Sequence, residues 1–238
     1  MRRVWMNTAL ILVVAAGAAT TAVADDLTIV SKVTPAKGEP STQTQYITAE
    51  RMRMSDGLND TIVDLAGGKL VQIDHKKKSY YETTFEEMQQ YFAQLNEMLA
   101  STPMMGSMMG KISDVQVQKT AETREIIGHT CTKYMLTMGE SFKQTMWVTP
   151  DLKMPVSYFD ARKMSFAMMG PMATRFEKML EEMKKIDGFP LATDVDMKVM
   201  GMDASSRSEV VEISKGDISA DVFAVPAGYK KTKSPMQE

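Results

Sequence analysis

The sequence is poor in the side chains that most often carry catalysis or hold a metal: its 238 residues include two histidines, His75 and His129, and one cysteine, Cys131. A lone cysteine closes no internal disulfide, so stability must come from an apolar core. A serine nucleophile elbow, a zinc-protease helix and a phosphate loop all need fixed spacings that this chain lacks. Paired acids such as Glu181-Glu182 are adjacent on a helical stretch and point apart, which suits solvent rather than acid and base work. The expectation is a protein that is not an enzyme and needs no cofactor. Long apolar runs are missing as well. The most apolar stretch, Thr8 to Ala19, falls short of the roughly 20 residues that a spanning helix needs, so no transmembrane segment is expected.

What is present at the N-terminus reads as an export signal. Arg2 and Arg3 precede that apolar stretch, and Ala22-Val23-Ala24 forms a small-x-small cleavage site before Asp25-Asp26. Residues 1–24 are therefore assigned to a signal peptide cleaved near Ala24, and 25–238 to one half-barrel-like domain in the periplasm or otherwise outside the cytoplasm. The leader carries two arginines and no acid, so the remaining 26 basic and 30 acidic side chains give a net charge of −4. Nucleic acid is a poor partner for that balance.

Methionine is the compositional excess: 22 lie beyond the leader, against ten leucines. Unbranched and polarisable, methionine lets an apolar surface repack around ligands of varying shape. Genomic bias of Met for Leu is the plain alternative.

The pattern along the chain is mainly β. Leu27 to Thr34 opens as a strand and Thr42 to Met54 reads as one alternating run. Thr61 to Ala66 and Lys69 to His75 flank Gly67-Gly68 as a hairpin, and Lys76-Lys77-Lys78 makes a charged turn. Thr84 and Glu87 have capping-box spacing ahead of an apolar set Phe85, Met88, Phe92, Leu95 and Leu99, so residues 84–100 read as a helix. An uncharged loop with Met104, Met105, Met108 and Met109 follows; water disfavours it unless the fold or a ligand covers it. Gly128-His129 is read as a two-residue turn that sets Ile126 opposite Cys131, and Gly139-Glu140-Ser141 as a second turn. A second helix, residues 172–186, carries Met172, Phe176, Met179, Leu180 and Met183 on one side. Strands at Leu191 to Met200 and Arg207 to Ser214 come before a frayed basic tail at Lys230, Lys231 and Lys233. The fold class is thus mainly β (α+β): a curved antiparallel sheet or incomplete barrel with helical segments packed on its concave face.

The motifs Ser79-Tyr80-Tyr81, Gly128 to Tyr134, Trp147 to Leu152 and Phe223 to Tyr229 resemble an exported bacterial family, domain of unknown function 4412. More remotely, a leader, a curved meander and a helical plug resemble the periplasmic lipoprotein carriers, half-barrels whose concave face holds acyl chains. That resemblance implies a carrier for a lipid, an acylated protein or another amphiphile. Its apolar cavity or lid candidates are Phe85, Met88, Phe92, Leu95, Met104, Met105, Met108, Met109, Met172, Phe176, Met179 and Met183. Two other readings stand beside it. One is a soft-metal protein for copper, using thioethers such as Met105/Met108 and Met169/Met172 or the pair His129 and Cys131. The other is a closed structural or interaction domain without ligand.

Overall fold

Runs of β-branched and aromatic residues broken by short turns make one sheet, twelve-stranded among the described residues. A computed structural model describes residues 26–100, 115–139, 142–152, 182, 185–199 and 202–237. Six strands come first: β1 Leu27–Pro35, β2 Ser41–Ile47, β3 Arg51–Ser55, β4 Asn59–Asp64, β5 Lys69–Asp74 and β6 Ser79–Thr84. Helix α1, Phe85–Ala100, follows directly. The second group is β7 Val115–Ile126, β8 His129–Met138, β9 Phe142–Thr149, β10 Phe189–Val199 and β11 Met202–Lys215. A two-residue β12, Lys230–Lys231, ends the sheet.

The strand order is β12-β6-β5-β4-β3-β2-β1-β11-β10-β9-β8-β7. Each group is a meander of antiparallel neighbours, and the two meet along β1 and β11, where Leu27 faces Lys215 and Pro35 faces Ser206. A bulge between Val30 and Ser31 bends this seam. The terminal strands β7 and β12 do not pair with each other, so the twisted sheet is curved but unclosed.

Thr84 caps α1 as its spacing predicts. Glu87 N–H donates to Thr84 Oγ1 at 3.1 Å, and Thr84 N–H donates to Glu87 Oε2 at 2.8 Å. Phe85 packs on the main core cluster and Met88 is only 2% exposed. The second expected helix, residues 172–186, lies outside the described residues except at positions 182, 185 and 186.

Three expectations are corrected. The run Thr42 to Met54 is two strands, because the Thr48 hydroxyl accepts from the N–H groups of Glu50 (3.3 Å) and Arg51 (3.0 Å) and turns the chain without glycine or proline. The turn before β8 is Ile127-Gly128, not Gly128-His129. Both residues have positive φ, 44° and 79°, which is the backbone a two-residue primed turn demands. The register shifts on that strand end: Ile126 faces His129, and Arg124 rather than Ile126 faces Cys131. The third correction is the tail, which is not frayed. Thr232 N–H donates to Tyr80 O at 2.8 Å, Lys230 N–H to Lys78 O at 3.0 Å, and Thr83 Oγ1 to Ser234 Oγ at 2.8 Å, with Ser234 only 1% exposed. Polar composition suggested solvent, but the N–H and C=O groups of the tail complete the open edge of β6.

Cross-strand partners share a face of the sheet. Leu27, Ile47, Met52, Val63 and Leu70 form one row through β1 to β5, on what we call the pocket face. Ile62, Val71 and Ile73 point the other way and are covered by Phe223, Val225 and Tyr229. The segment after β11 thus crosses to the opposite side of the first meander as a strap, through a 3-10 turn at Ala220–Phe223.

Candidate ligand-binding face

Two recesses among the described residues open on the pocket face. The first, of about 160 Å³, sits across the seam: Ile29 and Ser31 come from β1, Gln45 from β2, Gln144 and Met146 from β9, Leu191 and Thr193 from β10, Ser208 and Val210 from β11. Gly188 fixes the start of β10 here, because a Cβ on it would stand 2.1 Å from the Thr149 carbonyl oxygen. Ile29, Met146, Leu191 and Val210 make an apolar floor, each 5% exposed or less. The polar members are amides and hydroxyls, and no charged side chain lines the recess among the described residues. Gln45 donates to Gln43 Oε1 at 3.4 Å.

The second recess, of about 370 Å³, lies at the far end of the first meander. Asn59, Gln72, Asp74 and Tyr81 supply its sheet wall, Lys77 the turn beside it, and Thr232, Lys233 and Pro235 the wall made by the tail. The Asp74 carboxylate accepts the backbone N–H of Lys77 at 2.8 Å and pairs with its ammonium at 3.0 Å. Those hydrogen bonds hold its pKa below the usual value of 3.8.

Behind the sheet, the strap is tied down by charge. Asp60 is fully buried and ion-paired with Arg53, whose guanidinium also donates to Val222 O in the strap. His75 Nε2 lies 2.6 Å from Asp60 Oδ2 and Nδ1 lies 2.8 Å from the Tyr229 hydroxyl. A carboxylate accepts only, so Nε2 donates to it, and in a neutral ring Nδ1 accepts from the phenol. Tyr229 also meets the His75 ring edge-on, with centroids 5.7 Å apart. Asp60 Oδ1 and Arg53 Nε are buried with no hydrogen-bond partner among the described residues.

Of the residues singled out from sequence, those on α1 whose side chains are described line neither recess. Phe85 packs on the main cluster, Met88 is buried, and Phe92 stacks edge-on with Tyr91 at 5.5 Å. Leu95 belongs to α1, but its side chain lies outside the described residues. Met104, Met105, Met108, Met109, Met172, Phe176, Met179 and Met183 lie outside them as well. Of the soft-ligand pair, Cys131 is fully buried, its thiol donates to His129 O at 3.6 Å, and burial pushes its pKa above the usual value. His129 Nδ1 lies 3.3 Å from Asp151 Oδ2. Among the described residues no group of three or more His, Cys, Asp or Glu is placed to hold a metal ion. The recess residues Gln45, Gln144, Thr193 and Ser208 escaped the sequence reading because polar positions on an alternating strand look like its solvated side.

Residues 31–229 match the family described as Domain of unknown function (DUF4412). The chain belongs to that family. No curated protein matches it. Among solved structures, an uncharacterised conserved protein from Thermus thermophilus is similar at 8% identity and a TM-score of 0.48, covering 89% of this chain and 91% of that one. A LolA superfamily protein from Nitrosomonas europaea is similar at 10% identity, covering 85% and 91%, with a TM-score of 0.27. PNGF-II is similar at 12% identity and a TM-score of 0.42, with 89% of this chain covered; the match spans 31% of PNGF-II. These are likenesses of this DUF4412 member at 12% identity or less. Among its described residues no helix is long and apolar enough to cross a membrane.

Proposed function

We propose that this protein is an exported, non-catalytic carrier whose pocket face holds the apolar part of an amphiphile, a lipid or an acylated protein. The observation that carries this reading is the first recess: an apolar floor ringed by uncharged amides and hydroxyls, on one face of an unclosed sheet. Each methylene buried on such a floor contributes about 0.8 kcal/mol. Amides and hydroxyls suit ester, amide and glycerol oxygens, whereas a charged lining would oppose an acyl chain. At about 160 Å³ the recess is smaller than the ~300 Å³ lower end of small-molecule sites, so it takes a segment of the ligand and the rest extends along the face. In this reading Met104, Met105, Met108 and Met109 form an adaptable lid, and the Ala22-Val23-Ala24 motif supports export.

Protein isolated gently from an exporting host is expected to carry a lipid-like ligand visible by native mass spectrometry, and a fluorescent fatty acyl probe is expected to displace it. Replacing the four lid methionines by serine should weaken probe binding by about tenfold or more, since each buried thioether contributes on the order of 1.5–3 kcal/mol; leucine should largely preserve it. Failure of leucine, where serine and leucine act alike, would point to thioether ligation of a soft metal instead. No co-purified ligand together with no saturable probe binding would sink the carrier reading.

A further inference from the structure

The two recesses are joined by a register row. Ile29 faces Gln45, Gln45 faces Met54, Met54 faces Thr61, Thr61 faces Gln72, and Gln72 faces Tyr81. Ile29 and Gln45 line the first recess, while Gln72 and Tyr81 line the second. From Gln45 to Gln72 the row crosses three strand intervals, about 15 Å at ~4.8 Å each, and every partner on it points to the pocket face. Met54 and Thr61 between the recesses are half-buried, so this row, a track of side chains on one face, is not sealed between them.

Its two ends differ in charge. The first recess has none among the described residues. Lys77, Asp74 and Lys233 stand at the second. Asp74 is neutralised by Lys77, and among the described residues Lys233 forms no ion pair, which leaves one net positive charge there. The lysine is not a loose tail group: Thr232 before it is bonded to Tyr80 O and Ser234 after it is buried against Thr83. Asn59 and Tyr81 add an amide and a phenol that can donate to an oxyanion. At about 370 Å³ this end alone has the size of a small-molecule site, roughly 300–1,000 Å³.

Resting on the carrier reading, we propose that the face takes its ligand in one orientation, with the acyl chain along the track toward the first recess and a single oxyanion head, carboxylate or phosphate, in the second recess against Lys233 and Lys77. The ligand class narrows accordingly, to anionic rather than neutral or cationic amphiphiles. The tail then has a second role besides capping β6: it supplies the cationic wall of the head site.

The test uses the whole protein and four probes: a pyrene-labelled fatty acid, its methyl ester, an alkyl phosphate of matched chain length, and inorganic phosphate. The acid or the alkyl phosphate should bind about tenfold more tightly than the ester, as expected for a charge-assisted hydrogen bond; whichever of the two leads identifies the head. In Lys77→Gln/Lys233→Gln that preference should collapse to within about twofold while the ester keeps its affinity. Both lysines are exposed, so unchanged thermal unfolding of the double variant would exclude a folding defect, and Lys77→Arg/Lys233→Arg should restore the preference. Equal binding of acid, alkyl phosphate and ester to the unmodified protein would overturn the head site while leaving the carrier reading intact. Inorganic phosphate binding as tightly as the alkyl phosphate would overturn the track, because the chain would then contribute nothing. Absence of binding by every probe would overturn both readings.

Discussion

The back of the sheet is one surface by register and two by chemistry. Over β3 to β6 it is dry: Ile62 and Ile73 are each 2% exposed beneath Phe223, Val225 and Tyr229, and the ion pair of Asp60 with Arg53 is sealed in with them. Over β8 to β11 it is wet. There Trp147 lies under the Arg124 guanidinium at 4.6 Å with Lys133 at 6.0 Å, and Arg124 pairs with Glu209 at 3.3 Å while Arg207 reaches both Asp194 and Glu209. The difference is the strap. Where the chain returns to cover the sheet, apolar residues are needed on both faces, and a charge kept there needs its counter-charge beside it. Where it does not, the same strand geometry presents ion pairs and a cation over an indole.

That contrast predicts graded costs. The largest belongs to Asp60→Ala, which leaves Arg53 buried without its counter-charge and releases the hold on His75; a loss of about 3–5 kcal/mol is expected in urea unfolding. A loss below about 1 kcal/mol would mean that the strap side is as wet as the other half.

At the margin of the sheet, Glu82 pairs with Lys231 of β12 and with Lys69 at 3.3 Å. The Lys231 hydrogen bond, ahead of Lys69, holds the Glu82 pKa below the usual 4.5. A carboxyl whose folded pKa is depressed stabilises above its unfolded value and loses that contribution as pH falls through the folded value. Glu82→Gln should therefore cost within about 1 kcal/mol at neutral pH, after allowing for solvent screening. The gap to the parent should close in denaturation curves taken progressively below pH 4.5; a gap that persists unchanged at lower pH would show that the effect is not electrostatic.

The smallest effect is expected at Arg124→Ala on the wet half, on the order of 0.5–1 kcal/mol for a partly exposed cation over an indole. Trp147 fluorescence should change with it, since the guanidinium leaves the ring face. A cost above about 2 kcal/mol would place Arg124 in a covered interface and erase the distinction.

Much of this architecture was legible in residue pattern. Alternating strands, Gly67-Gly68 and the Thr84/Glu87 capping box all appear where local chemistry alone demands them. The two-faced burial of the first meander was written in Ile62-Val63, adjacent apolar residues that point to opposite sides and are both buried, a pattern that a one-sided sheet does not need. The misses have physical causes too. Thr48 turns the chain by its hydroxyl, a weaker signal than glycine, and Ile127 adopts a positive φ that its side chain disfavours. The site was the least legible part. Gln45 and Gln144 lie far apart in sequence, and their joint role exists only once β2 and β9 stand on the same face. The latch of Arg53, Asp60, His75 and Tyr229 likewise draws on three strand regions and the strap, and a lone histidine near a turn gives no hint of it.

The seam between β1 and β11 has a bearing on time as well as on shape. Within each meander, neighbours in sequence pair with neighbours, and such hairpins form in roughly 1–10 μs. The seam joins residue 27 to residue 215, and the entropy of closing so long a loop must be met before its contacts give anything back. The halves can therefore organise early while their junction waits. The first recess draws its lining from both halves, so neither meander contains it alone. The recess itself is completed in a single late step, with the closing of the seam.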